Sequence, residues 1–116
     1  VQTVGSTFLR GRGLNALSAA GPVCVGHTTQ EVQGNFAFGD ILVCRRAELA
    51  LLKQMFSAAA VITEESDPES DQLLESIKGQ LNVPVIVGVR DCTRLLRTGE
   101  TVELSAAKGI ITPLKV

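Results

Sequence analysis

Apolar and polar positions alternate along this chain in blocks that mark strands, and one block repeats at helical spacing. Residues 60–62 (AVI) form a short apolar run that stops at Thr63-Glu64-Glu65. Asp67 is placed to cap a helix, and Pro68 suits its first turn, where a missing N–H costs nothing. Leu73, Leu74, Ile77 and Leu81 then recur on one stripe, and Pro84-Val85-Ile86-Val87 follows as a β-branched run ending at Gly88. Strand, helix and strand in that order predict a βαβ crossover, with a polar corner where the first strand hands over to the helix. Ligands of open α/β sheets sit at such corners.

The flanks supply further elements. Residues 1–8 alternate weakly, as a strand would. Residues 10–21 are rich in Gly, Ala and Ser and read as a bending segment, with Gly11, Gly13 and Gly21 as its bends. Residues 22–26 (PVCVG) predict a strand, residues 30–35 a turn or short helix, and residues 41–44 (ILVC) a central strand apolar on both faces. Residues 48–56 read as a helix with Leu49, Leu52 and Phe56 on one stripe and Met55 beside it. A turn at residues 98–100, an alternating strand at 101–105 and a turn into Ile110-Ile111-Thr112 close the chain as a hairpin. Strands first, then β/α alternation, then a hairpin predict a layered β/β/α domain.

Composition narrows the function classes. At 116 residues the chain fits one domain with a real core, built from Val, Ile, Leu and Ala because only four residues are aromatic. A net charge of −1 and the lack of aromatic platforms argue against nucleic-acid binding. Cys24, Cys44 and Cys92 are widely spaced, no CxxC occurs, and His27 is the single histidine, so buried thiols in a reducing cytosol are expected and not a zinc site. No run of 18 apolar residues and no signal peptide occur, and residue 1 is not Met, which fits a piece of a longer cytoplasmic polypeptide or a processed product.

Five blocks taken in order carry a family resemblance: Gly11-Arg12-Gly13 with Ser18 and Gly21; Gly39-Asp40-Ile41-Leu42-Val43; residues 58–65 (AAAVITEE); residues 83–89 (VPVIVGV); and Thr98-Gly99-Glu100 with Val102. Together they cover almost the whole chain. The sequence resembles the phosphohistidine, or swivelling, domain of phosphoenolpyruvate-utilising enzymes, and most closely the extra C-terminal domain of some bacterial pyruvate kinases. The resemblance implies a three-layer β/β/α swivelling domain over residues 1–116. It implies a parent that transfers phosphate from phosphoenolpyruvate to ADP, using Mg and K ions with ADP/ATP, and no cofactor in this domain. The implied partners are the other domains and subunits of such a parent, with a homo-oligomer as a further option and neither nucleic acid nor membrane.

One departure falls at the polar corner. In the phosphohistidine enzymes "TEE" is followed by a Gly-Gly turn and Thr-Ser-His, and that His accepts the phosphoryl group. Here Ser70 answers to the Ser and Asp71 stands in place of the His, which makes Ser70 and Asp71 a degenerate phosphoacceptor corner. No histidine follows His27, so the acceptor is missing under every alignment. Glu64, Glu65, Asp67, Glu69 and Asp71 crowd the corner, and each like charge near 5 Å would disfavour a phosphate by about 1 kcal/mol in a wet site. An aspartyl-phosphate at Asp67 or Asp71 would need a cation, and no Lys or Arg lies between Lys53 and Lys78. The acids instead suit a first helical turn, and they lack the spacing of a calcium loop. His27, at a strand end, reads as a surface residue. Arg10, Gly11, Arg12 and Gly13 are a candidate anion-binding segment, since a Gly-rich turn can present N–H groups and charge. Arg45, Arg46, Arg94 and Arg97 read as solvated faces or as contacts to the rest of the parent protein. The expected function is a non-catalytic accessory domain acting in packing, stability or regulation. The alternatives are a phosphotransfer domain with an unusual acceptor and a phosphometabolite-sensing module.

Overall fold

Strand residues buried on both faces need cover on both sides, and the fold provides it with a second sheet layer and a helix layer. The structure is a computed structural model that describes residues 9–114; the strand expected over residues 1–8 lies outside them. Its elements in chain order are β1 (Leu9–Arg10), β2 (Arg12–Gly13), β3 (Ser18–Gly26), α1 (Thr29–Asn35), β4 (Ile41–Cys44), a 3-10 turn (Leu49–Leu51) running into α2 (Leu52–Ser57), β5 (Ala60–Thr63), α3 (Pro68–Leu81), β6 (Val85–Val87), α4 (Cys92–Leu95), β7 (Thr101–Ser105) and β8 (Ile110–Pro113).

The strand order is β1-β8-β7-β3-β4-β5-β6-β2. Strands β3, β4, β5 and β6 run parallel, while β7, β8, β1 and β2 join antiparallel. β1 and β2 are consecutive in the chain with only Gly11 between them, yet they pair with opposite ends of the sheet, β1 with β8 and β2 with β6. The sheet therefore closes on itself, which removes its free edges. β3 turns the corner between layers: residues 18–22 pair with β7 and residues 23–26 with β4.

The period-2 alternation sorts the core into two layers. Ile41, Val43, Ala60, Ile62 and Ile86 face the space between the sheet halves, where they meet Val23, Val102, Leu104 and Ile111. Leu42, Cys44, Val61, Val85 and Val87 point the other way, under α2 and α3, against Met55, Leu74 and Leu81. Cys92 and Leu96, in and after α4, close one end of the inter-sheet core. The β/β/α layering expected from the sequence is the observed architecture.

Two expectations need correction. The segment over residues 10–21 is not a run of bends: it holds β2 and the first half of β3, which starts at Ser18 and not at Pro22. The helix over residues 48–56 begins as a 3-10 turn, and the tighter winding changes the buried face. Leu51 and Met55 are fully buried, whereas Leu49 is 72% exposed and Phe56 50% exposed. On α3 the expected stripe holds, with Leu74 and Leu81 buried and Leu73 and Ile77 packed at its margin.

Candidate functional site

The polar corner forms where β5 ends at Thr63 and α3 begins at Pro68. Asp67 is the N-cap in an extended conformation, and its Oδ1 accepts from the Ser70 backbone N–H at 2.9 Å. Pro68 follows in the first helical turn. Ser70 is fully buried, and its hydroxyl oxygen accepts from the Ala47 N–H at 2.8 Å, which pins the head of α3 to the chain leaving β4. Removing a cap of this kind costs about 1 kcal/mol. We expect Asp67→Ala to lower stability by roughly that amount, read from the midpoint of urea unfolding, with the α3 amides exchanging faster at its N-terminal end.

Asp71 sits one residue further along, on the first turn. Its Oδ2 accepts from Arg12 Nη2 at 2.8 Å and from Ser66 Oγ at 2.6 Å, while its Oδ1 is buried without a partner. Arg12 arrives on β2, which is held beside β6 by the pairing of Arg12 with Val87. The fold thus brings together two segments that the sequence separates: the Arg10–Gly13 stretch and the Ser70–Asp71 corner. The rest of that stretch is engaged in closing the sheet. Gly11 N–H donates to Gly109 O at 2.8 Å, Arg10 pairs with Ile110 in β1, and Gly13 pairs with Ile86 in β2.

The remaining acids also find partners. β4 and β5 are parallel, with Cys44 level with Thr63, so Arg45 and Arg46 leave the sheet beside Glu64 and Glu65. Arg45 pairs with Glu65 at 2.7 Å, and Arg46 pairs with Asp67 at 3.2 Å and Glu69 at 3.5 Å. Glu64 accepts from the Thr93 N–H at 3.2 Å and from the Thr93 hydroxyl. Arg45 and Arg46 are therefore not simply solvated, and the corner does not lack cations. The expectation of five unopposed like charges is corrected to five acids each with a donor. Most of these pairs are half-exposed, so individually they add little stability. Their effect is positional: they occupy the guanidinium donors and the capping amide. Sequence reasoning missed Arg45, Arg46, Ser66 and Thr93, although the register of two adjacent parallel strands would have placed the first two.

His27 stands at the end of β3, exposed, with its backbone N–H donating to Glu31 at 2.7 Å. The three cysteines are buried thiols, as expected. Burial pushes the Cys44 thiol up to about 12, assisted by Glu48. Burial also raises Cys92, with Glu64 nearby, and Cys24, with Asp40 nearby, so none is a reactive thiolate at neutral pH. Among the described residues no helix is long and apolar enough to cross a membrane, and no group of His, Cys, Asp and Glu side chains is gathered to hold a metal ion.

The residues so far described make a closed β/β/α domain with a polar corner at a helix head. Residues 36–109 match the family described as "PEP-utilising enzyme, mobile domain", and the chain belongs to that family. Among curated proteins it is similar to the pyruvate kinase of Bacillus licheniformis, 31% identical over 111 residues, and that of Geobacillus stearothermophilus, 29% identical over 111 residues. Each match covers 96% of this chain and 19% of the pyruvate kinase, in its C-terminal region. The chain thus spans about a fifth of the length of these relatives. Among solved structures, aconitase X of Thermococcus kodakaraensis in its holo-form shares the fold, with a TM-score of 0.69, 20% identity and coverage of 94% of this chain and 99% of that one.

Proposed function

We propose that this chain is an accessory domain of a pyruvate kinase, taking no phosphoryl group itself and acting through its surface in packing, stability or regulation of the parent. The similarity to the C-terminal region of bacterial pyruvate kinases supports the parent. The single observation that carries the non-catalytic reading is the state of Asp71, the residue that the family resemblance sets in the acceptor's place. Its Oδ2 is held by Arg12 and Ser66, and its Oδ1 is shut away from solvent. A nucleophile needs a lone pair that the incoming phosphorus can reach in line; those of Oδ2 face Arg12 and Ser66, and those of Oδ1, though free, are buried out of reach. At the cap Asp67 takes the Ser70 N–H, so that amide is not free for a phosphate. Phosphoryl transfer from phosphoenolpyruvate to ADP would belong to residues outside this chain.

The test is intact-mass analysis of the protein after incubation with phosphoenolpyruvate, alone and with a phosphoenolpyruvate-utilising phosphotransferase, at neutral and alkaline pH. The expected result is an unchanged mass. A phosphoryl adduct mapped to residues 64–71 and abolished by Asp71→Asn would overturn the proposal.

A further inference from the structure

Leu49, Leu52 and Phe56 recur at helical spacing and would face inward if the helix kept one phase from its first residue. Leu51 and Met55 take the buried positions instead, against the sheet. The stripe is thereby turned to the flank of α2, with Leu49 and Phe56 exposed and Leu52 buried only in part. α2 is thus apolar on two faces, and the core covers one of them. Phe38 extends the uncovered face. It is 88% exposed, and the loop that carries it is tied to the end of α2, where Gly39 N–H donates to Ser57 O at 2.9 Å. Phe38 and Phe56 each precede a member of that bonded pair, so they share one end of the helix layer.

Single apolar residues on a surface need no cover, but three large ones on one face do. With about 200 Å² of surface for an aromatic side chain and slightly less for leucine, the exposed parts of Phe38, Leu49 and Phe56 come to roughly 400 Å². That area supplies about half of one side of a standard protein interface, the remainder being polar rim. Charge then selects the kind of partner. Lys53 lies one helical turn from both Leu49 and Phe56, is exposed, and forms no ion pair among the described residues. The Asp40 carboxylate, near Phe38, accepts from the Ala37 N–H at 3.1 Å. A two-fold contact of the stripe with a second copy would set one Lys53 ammonium against the other, which is unfavourable. An apolar surface that carries a carboxylate complements it. The pyruvate kinases similar to this chain are about five times its length and match it in their C-terminal region, so a chain of that kind supplies other domains to cover the face.

We propose that the α2 face formed by Phe38, Leu49, Lys53 and Phe56 docks on a domain that precedes this one in its parent chain, against an apolar surface with a carboxylate opposite Lys53. Such docking rests on the reading of the chain as an accessory domain of a pyruvate kinase and adds the surface through which it packs. The test uses the full-length protein with photoreactive benzoylphenylalanine in place of Phe38 or of Phe56. The control carries it in place of Glu103, which is exposed on β7 in the other sheet layer. Cross-linked peptides are mapped by mass spectrometry. The Phe38 and Phe56 positions are expected to join one stretch of the parent that lies outside these 116 residues, and the Glu103 position is not. Lys53→Glu reverses the charge in the patch without touching a buried group, and it is expected to lower the yield from Phe56 several-fold, while Lys108→Glu leaves that yield unchanged. Cross-links to a second copy of this domain, or none from either position, would overturn the docking. An unchanged yield in Lys53→Glu would overturn the carboxylate. Pyruvate kinase activity of the same full-length protein tests the underlying reading separately, since its absence would remove the pyruvate kinase parent and leave the mapped contact standing.

Discussion

Gly13→Ala is expected to destabilise the protein by ~3 kcal/mol or more, the largest loss from adding a single methyl group. A Cβ at Gly13 would lie 1.7 Å from the carbonyl oxygen of Ala106, and the clashing atom is backbone, not the flexible end of a side chain. Relief requires β2 or the turn after β7 to move. β2 is the strand that pairs with β6, one residue beyond the strand that pairs with β8, so moving it opens the closed sheet. Gly34→Ala provides the control. Nothing lies within 4 Å of a Cβ at Gly34, and it sits inside α1, where Ala is favoured over Gly by about 0.5–1 kcal/mol. Urea unfolding should therefore move in opposite directions for the two substitutions. Equal midpoints for both variants would mean that residues 9–13 do not close the sheet as described.

Met55→Ala is expected to cost about 2–5 kcal/mol, while Phe56→Ala costs below ~1 kcal/mol. Met55 is fully buried against Leu51, Leu74 and the helix-facing side of β4 and β5, so its truncation leaves a cavity. Phe56 is the larger side chain, but half of it already faces solvent. A sequence-based stripe through Leu49, Leu52 and Phe56 predicts the reverse order. Thermal unfolding of the two variants side by side decides between them, because a greater loss for Phe56→Ala would restore the regular helical phase.

The reason for that reversal shows where local pattern stops being informative. An amphipathic stripe assumes 3.6 residues per turn from its first residue, and the 3-10 turn at Leu49–Leu51 winds at about three. Leu51 and Met55 then take the inward positions. The same limit hid β3. Its first half, Ser18-Ala19-Ala20-Gly21, has none of the β-branched or aromatic residues that mark strands. It is extended because β7, an alternating TVELS strand from the far end of the chain, pairs with it residue for residue. By contrast β4, β5, β6 and α3 were legible, since their burial is written in runs of Ile, Val and Leu, and α3 also carries Asp67 as its cap and Pro68 in its first turn.

What the amino-acid sequence determined by itself is the order of the layers and the lack of an imidazole at the head of α3, since the identity of a residue does not depend on the fold. The state of that corner was decided only by tertiary structure. Arg12 and Asp71 are 59 positions apart, and Arg45 and Glu65 are 20 apart. Strand register brings such pairs within 3 Å, and a Coulomb interaction depends on distance in space, not on separation along the chain.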